Sequence, residues 1–133
     1  DILFTGSILD NIACFDSALD KEQVIAACRL AEVDHVVARL PHGYETEMLP
    51  GNTFFSAGEM QRLVLARALY SQPKLLLCDE VTANLDKTTA QKVLANLRSL
   101  GIGLVFVTHS PDVVGCQGRL YTMENGTLRE NAP

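Results

Sequence analysis

Two short apolar runs constrain the fold of this chain more than any other feature. Leu75-Leu76-Leu77-Cys78 stops at the acids Asp79-Glu80, and Leu104-Val105-Phe106-Val107 stops at Thr108-His109. Neither run alternates apolar with polar residues. Such strands are expected where both faces of a sheet are covered, as in a parallel sheet. Between the runs, Ala90, Val93, Leu94, Leu97 and Leu100 recur at helical spacing. Asp86 stands where an N-cap belongs, and Gly101 and Gly103 close the segment. Strand, helix, strand in that order predicts a right-handed β-α-β crossover and an α/β fold.

The residues before the first run are mostly helical in pattern. Ser7 can cap a short helix over 7–12, and Asp20 opens a second with Val24, Ala27, Cys28 and Ala31 on one face. A third short helix is expected over 33–39, broken at Pro41-His42-Gly43. Residues 45–55 read as a loop centred on Pro50-Gly51-Asn52. Ser56-Ala57-Gly58-Glu59 has the form of a capping box. The helix it opens runs to about Ser71 on a stripe of Leu63, Ala66, Leu69 and Tyr70, and Pro73 ends it. After the second run, Ser110-Pro111 suits the start of a short helix. Asn125-Gly126, flanked by 120–124 and 127–129, is a strong hairpin signal. Residues 1–71 thus read as a mostly helical part, and 72–133 as the part that carries the sheet.

A chain of 133 residues, 47% hydrophobic, can bury one compact core. Its net charge of −5 speaks against nucleic acid as a partner. No apolar run reaches the roughly 18 residues that a spanning helix needs. Asp1-Ile2-Leu3-Phe4-Thr5-Gly6 lacks the basic start of a secretion signal. Cys14, Cys28, Cys78 and Cys116 contain no C-x-x-C pair, so buried reduced thiols are expected rather than a disulfide framework or a zinc site. His35, His42 and His109 have no ligand spacing either.

In open α/β sheets the ligand lies beyond the carboxyl ends of the strands. Asp79, Glu80 and His109 all fall at such ends. One carboxylate there can hold Mg²⁺, its neighbour can polarise a water, and a histidine at the next tip can touch a phosphate. Each residue also has a plainer reading: acids after a strand as loop residues, the histidine as structural.

Taken together, these segments resemble the ATP-binding cassette (ABC) ATPases. Leu75-Leu76-Leu77-Cys78-Asp79-Glu80 resembles their Walker B strand with the adjacent glutamate. Phe55-Ser56-Ala57-Gly58-Glu59, followed by Gln61-Arg62 and Ala66-Arg67-Ala68-Leu69, resembles their signature motif. Ala83-Asn84-Leu85-Asp86 looks like the D-loop, and Thr108-His109-Ser110 like the switch-histidine loop. The order and spacing match the family, with 23 residues from Ser56 to Asp79 and 30 from Asp79 to His109. Leu3-Phe4-Thr5-Gly6-Ser7-Ile8 through Asn11-Ile12, and Pro41-His42-Gly43-Tyr44, are similar to exporters of bacteriocins and peptides and to type I secretion ATPases.

The resemblance implies a fold: the C-terminal part of a P-loop NTPase, a helical subdomain plus half of a parallel-sheet core ending in a β-hairpin. It also implies roles. Asp79 would organise Mg²⁺, Glu80 would orient the hydrolytic water, and His109 would contact the γ-phosphate of ATP. Ser56, Ala57, Gly58 and Glu59 would meet nucleotide held by a second ATPase domain in a head-to-tail dimer, and Asp86 would lie at the seam. Ser56 and Asp86 also remain readable as plain helix caps. The implied partners are that second domain and a transmembrane domain, at the cytoplasmic face of the membrane. No G-x-x-x-x-G-K-S/T occurs in the chain. The phosphate-cradling loop is therefore expected upstream of Asp1, in a longer parent, and the chain alone is expected not to hydrolyse ATP. Ala57, Glu59, Val81, Ser110 and the stretch 47–52 depart from the family pattern. Asp79, Glu80 and His109 are intact, which implies an active parent. An ABC ATPase without transport, or a non-catalytic docking fragment, are the other readings.

Overall fold

The structure, a computed structural model, describes residues 3–49, 51, 55–109 and 118–131. The expected helix at Ser110-Pro111, the loop residues Pro50 and Asn52, and Cys116 lie outside the described residues.

Of the five α-helices among the described residues, four start at a side chain suited to their free N–H groups. Helix α1 (Ile8–Ile12) begins with a reciprocal capping box between Ser7 and Asp10. Helix α2 (Lys21–Leu30) begins at Asp20, whose carboxylate accepts from the N–H groups of Glu22 and Gln23. Helix α3 is Asp34–Val37, shorter than the expected 33–39 and without a side-chain cap. A 3-10 turn at Gly43–Glu45 follows. Helix α4 (Ala57–Tyr70) begins with the Ser56–Glu59 capping box. It packs against α1 and α2, burying Leu63, Ala66 and Leu69 against Ile8, Ile12, Val24 and Cys28.

One pairing departs from the expected loop over 45–55. Strand β1 (Gly6–Ser7) pairs antiparallel with β2 (Glu47–Met48), in the register Gly6↔Met48 and Ser7↔Glu47. The N–H of Ile8 continues the contact by donating to the Thr46 carbonyl at 3.1 Å. Two-residue strands carry no period, so their sequence announces nothing.

Strands β3 (Leu75–Asp79) and β4 (Gly103–Val107) are parallel, from Leu75↔Gly103 to Asp79↔Val107, and helix α5 (Lys87–Ser99) crosses between them. The parallel strand–helix–strand arrangement is as expected, but the covering is not. Leu76 and Cys78 are buried with Val93 and Leu97 of α5. Leu75, Leu77, Val105 and Val107 are exposed, Leu77 at 71%. Among the described residues, cover comes to one face only, so an apolar run meant for two-sided burial shows a half-bare sheet. Gly103 is also not a helix terminator. It opens β4, where a Cβ would come within 2.9 Å of Leu75 Cδ1. Gly101 does follow the helix end, with φ +65°.

Strands β5 (Tyr121–Glu124) and β6 (Thr127–Glu130) form the hairpin. Asn125 and Gly126 both have positive φ, 48° and 75°, as the tight turn matching strand twist requires.

The thiols divide. Cys28 and Cys78 are buried, whereas Cys14 is exposed, against the expectation of burial. Burial pushes the Cys28 thiol up to about 12, partly offset by a hydrogen bond with Tyr44, and pushes Cys78 up to about 11. A maleimide pulse at pH 8 is therefore expected to label Cys14 and spare Cys28 and Cys78 until the protein unfolds. Peptide mass mapping checks this, and early labelling of Cys28 would contradict the packing of α2 on α4.

Candidate active site

Because β3 and β4 run parallel in register, their carboxyl ends coincide. Asp79 sits beside Val107, and His109 follows two residues beyond. The N–H of Glu80 donates to the Val107 carbonyl at 2.8 Å. The chain then turns through Glu80 at φ 49°, a left-handed conformation that costs a non-glycine residue roughly 1–2 kcal/mol. Three bonds hold it there. The Glu80 carbonyl accepts from the Ala83 N–H at 3.0 Å and from Gln61 Nε2 at 2.7 Å. The Glu80 carboxylate accepts the backbone N–H of His109 at 3.0 Å, and His109 Nε2 lies 4.0 Å from the same oxygen. The fold thus brings Glu80 and His109 together and leaves Asp79, the last residue of β3, exposed next to Glu80.

The start of α4 presents the other candidate residues. Ser56 and Ala57 are exposed. Ser56 Oγ accepts the Glu59 N–H at 3.3 Å, and Glu59 Oε2 accepts the Ser56 N–H at 2.8 Å. That backbone bond, aided by Arg62 and His35, holds the Glu59 carboxyl below the usual range. Gly58 is buried: a Cβ there would collide with the Asn84 carbonyl and meet Leu85 Cδ2 at 3.1 Å. The loop after β3 therefore rests on the first turn of α4. Asp86 caps α5 through the Thr89 N–H at 3.0 Å, and hydrogen bonds from Thr89 hold its carboxyl low.

Among the described residues, no group of three or more His, Cys, Asp or Glu could hold a metal by itself. A single exposed carboxylate, Asp79, fits Mg²⁺, which takes one or two carboxylates and fills its shell with water and phosphate oxygens.

Two polar bridges had no role in the sequence reading. Gln61 joins α4 to Glu80 and also accepts from Asn84 Nδ2 at 3.5 Å. Asn11, 1% exposed, donates to the carbonyls of Phe4 and Ser7 and accepts from the Phe4 N–H and Arg67 Nη2. Arg67 also donates Nε to the Asn11 carbonyl at 2.8 Å, with its guanidinium 5.3 Å from the Phe4 ring. A polar Asn between Ile8 and Ile12 was the available hint of such a buried bridge.

The architecture is a mixed α/β chain with the fold of part of an ABC ATPase. It aligns with the structure of a bacterial Atm1-family ABC exporter with ATP bound, at TM-score 0.86 and 31% identity, over 95% of this chain and 22% of that one. The ABC transporter family model matches residues 5–83. The chain belongs to the ABC transporter family. It is 38% identical over 97% of its length to the lactococcin transport/processing ATP-binding protein LcnC-like of Lactococcus lactis subsp. lactis. It is 36% identical over 98% to the type I secretion system ATP-binding protein PrsD of Rhizobium meliloti. The chain spans 18% and 23% of those relatives' lengths.

Proposed function

We propose that this chain is part of the ATP-hydrolysing domain of an exporter of peptides or proteins. The observation that carries the reading is the seating of Glu80 and His109 together at the tips of two parallel strands, 3.0 Å apart through the His109 N–H. Glu80 is the base that orients the attacking water and receives its proton. The water oxygen forms the new bond to the γ-phosphorus, the bond to the bridging oxygen breaks, and ADP leaves. The His109 imidazole steadies a γ-phosphate oxygen. Asp79 would hold Mg²⁺, which would neutralise phosphate charge. Ser56, Ala57 and Gly58 offer the start of α4 to nucleotide held by a second ATPase domain, with Glu59 as the capping acid and Asp86 at the seam.

Residues 1–133 form a partial ATPase domain in this reading, about 1–71 its helical part and 72–133 its sheet part. The bare faces of β3 and β4 support a further layer of the same domain over Leu77 and Val107. The exposed Phe4 and Phe15 rings, 6.3 Å apart edge to face, support a transmembrane-domain partner at the cytoplasmic face of the membrane.

The test compares two proteins. The intact protein in lipid vesicles is expected to hydrolyse ATP only with Mg²⁺. The 133-residue chain is expected to show no micromolar Mg-ATP binding by calorimetry, since it has no phosphate-cradling glycine loop. Absence of Mg²⁺-dependent hydrolysis by the intact protein overturns the enzymatic reading. Micromolar binding by the short chain overturns its incompleteness.

A further inference from the structure

We infer that Gln61 is a positioning residue for hydrolysis: its side chain ties helix α4 to the Glu80 peptide and keeps the base in its left-handed turn. The inference rests on the reading of Glu80 as the base.

Gln61 is part-buried on the second turn of α4, past the capping box. Its Nε2 donates to the Glu80 carbonyl at 2.7 Å, the shortest of the backbone bonds that Glu80 makes with Val107, Ala83 and Gln61. Its other amide atom, Oε1, accepts from Asn84 Nδ2. One planar group therefore touches both ends of the turn that leaves β3. The Ala83 N–H bond to the same carbonyl closes that turn locally, but it moves with the turn and anchors it to nothing outside. The Val107 bond ties Glu80 to β4. Gln61 alone of these three partners comes from α4, the helix whose start is packed on Asn84 through Gly58. A shift of α4 thus reaches the Glu80 peptide through a hydrogen bond as well as through packing. The peptide carries the carboxylate that accepts the His109 N–H. Glutamine suits the place because it donates and accepts at once without charge beside a carboxylate.

Gln61→Met keeps the side chain's length and removes both bonds. In the intact ATPase, loss of a neutral bond to this turn is expected to lower kcat about five- to tenfold, with KM for ATP within about twofold. Gln61→Glu keeps the shape, lacks the donor, and is expected to fall at least as far. On a Glu80→Gln background, Gln61→Met should change the residual rate little, because the base it positions is gone. Thermal melts report whether each variant is folded. Wild-type kcat in either folded variant, while Glu80→Gln is inactive, overturns the inference. So does an equal further loss on the Glu80→Gln background, which would mean that Gln61 acts elsewhere. Wild-type activity of Glu80→Gln itself overturns the reading of Glu80, and with it the positioning role that depends on that base.

Discussion

Replacing Glu80 by glutamine in the intact protein is expected, on the proposed function, to cut steady-state ATP hydrolysis about 10²- to 10⁴-fold while leaving ATP binding in place. The substitution is nearly isosteric. An amide oxygen still accepts the His109 N–H, and the backbone bonds to Val107, Ala83 and Gln61 do not involve the side chain. What disappears is the proposed proton acceptor. The loss therefore belongs to kcat, and phosphate release set beside equilibrium ATP binding separates the two. A wild-type rate would remove Glu80 from the chemistry. A fall in rate accompanied by loss of folding would make it a structural residue. His109 is expected to hold its backbone position in this variant, since the bond that fixes it survives.

The second large effect is expected at Gly58. Its Cβ would collide with the Asn84 carbonyl, a backbone atom that cannot swing aside as a flexible side chain does. Gly58→Ala therefore forces the first turn of α4 away from the loop that begins at Glu80. Overpacking of this kind costs about 1–3 kcal/mol, which is several degrees of melting temperature for a domain of this size at roughly 4 °C per kcal/mol. Hydrolysis is expected to fall further than stability, because the displaced loop carries Glu80, the proposed base. The neighbouring position is the control. Ala57 is exposed, and Ala57→Gly is expected to cost well under 1 kcal/mol at this first helical turn. Thermal melts on both variants check the contrast in stability, and phosphate release on Gly58→Ala checks the loss of hydrolysis. An unchanged melting temperature for Gly58→Ala would mean that α4 and the loop are not in contact.

The legible parts of the fold were those whose cause lies within a few residues. Ser7, Asp20, Ser56 and Asp86 are each the cap expected of them, because a cap bonds an N–H two or three residues on. Asn125-Gly126 turns as expected because both residues tolerate positive φ. Less was legible in β3 and β4. Their apolar content announced strands and their spacing around a helix announced a parallel pair, but one face of each is bare among the described residues. The Gly6–Ser7 pairing with Glu47–Met48 was silent, since pairs this short have no pattern to display. Cys14 belongs here too: an apolar neighbourhood in sequence did not bury it.

Of the candidate site, residue types and order were visible, and their meeting was not. Acids and a histidine at strand ends can be named from the string because parallel strands end on one side. That Glu80 accepts the His109 N–H across 29 residues required the crossover to close in register. Gln61 reaching Glu80 across 19 residues, and Arg67 reaching Asn11 across 56, depended on how α4 is laid over its neighbours. Caps, periods and the hairpin turn were thus determined by sequence alone, since their energies are local. The placement of Glu80, and the reason position 58 must be glycine, were decided only by tertiary packing, because there the interacting atoms belong to elements that chain order does not make neighbours.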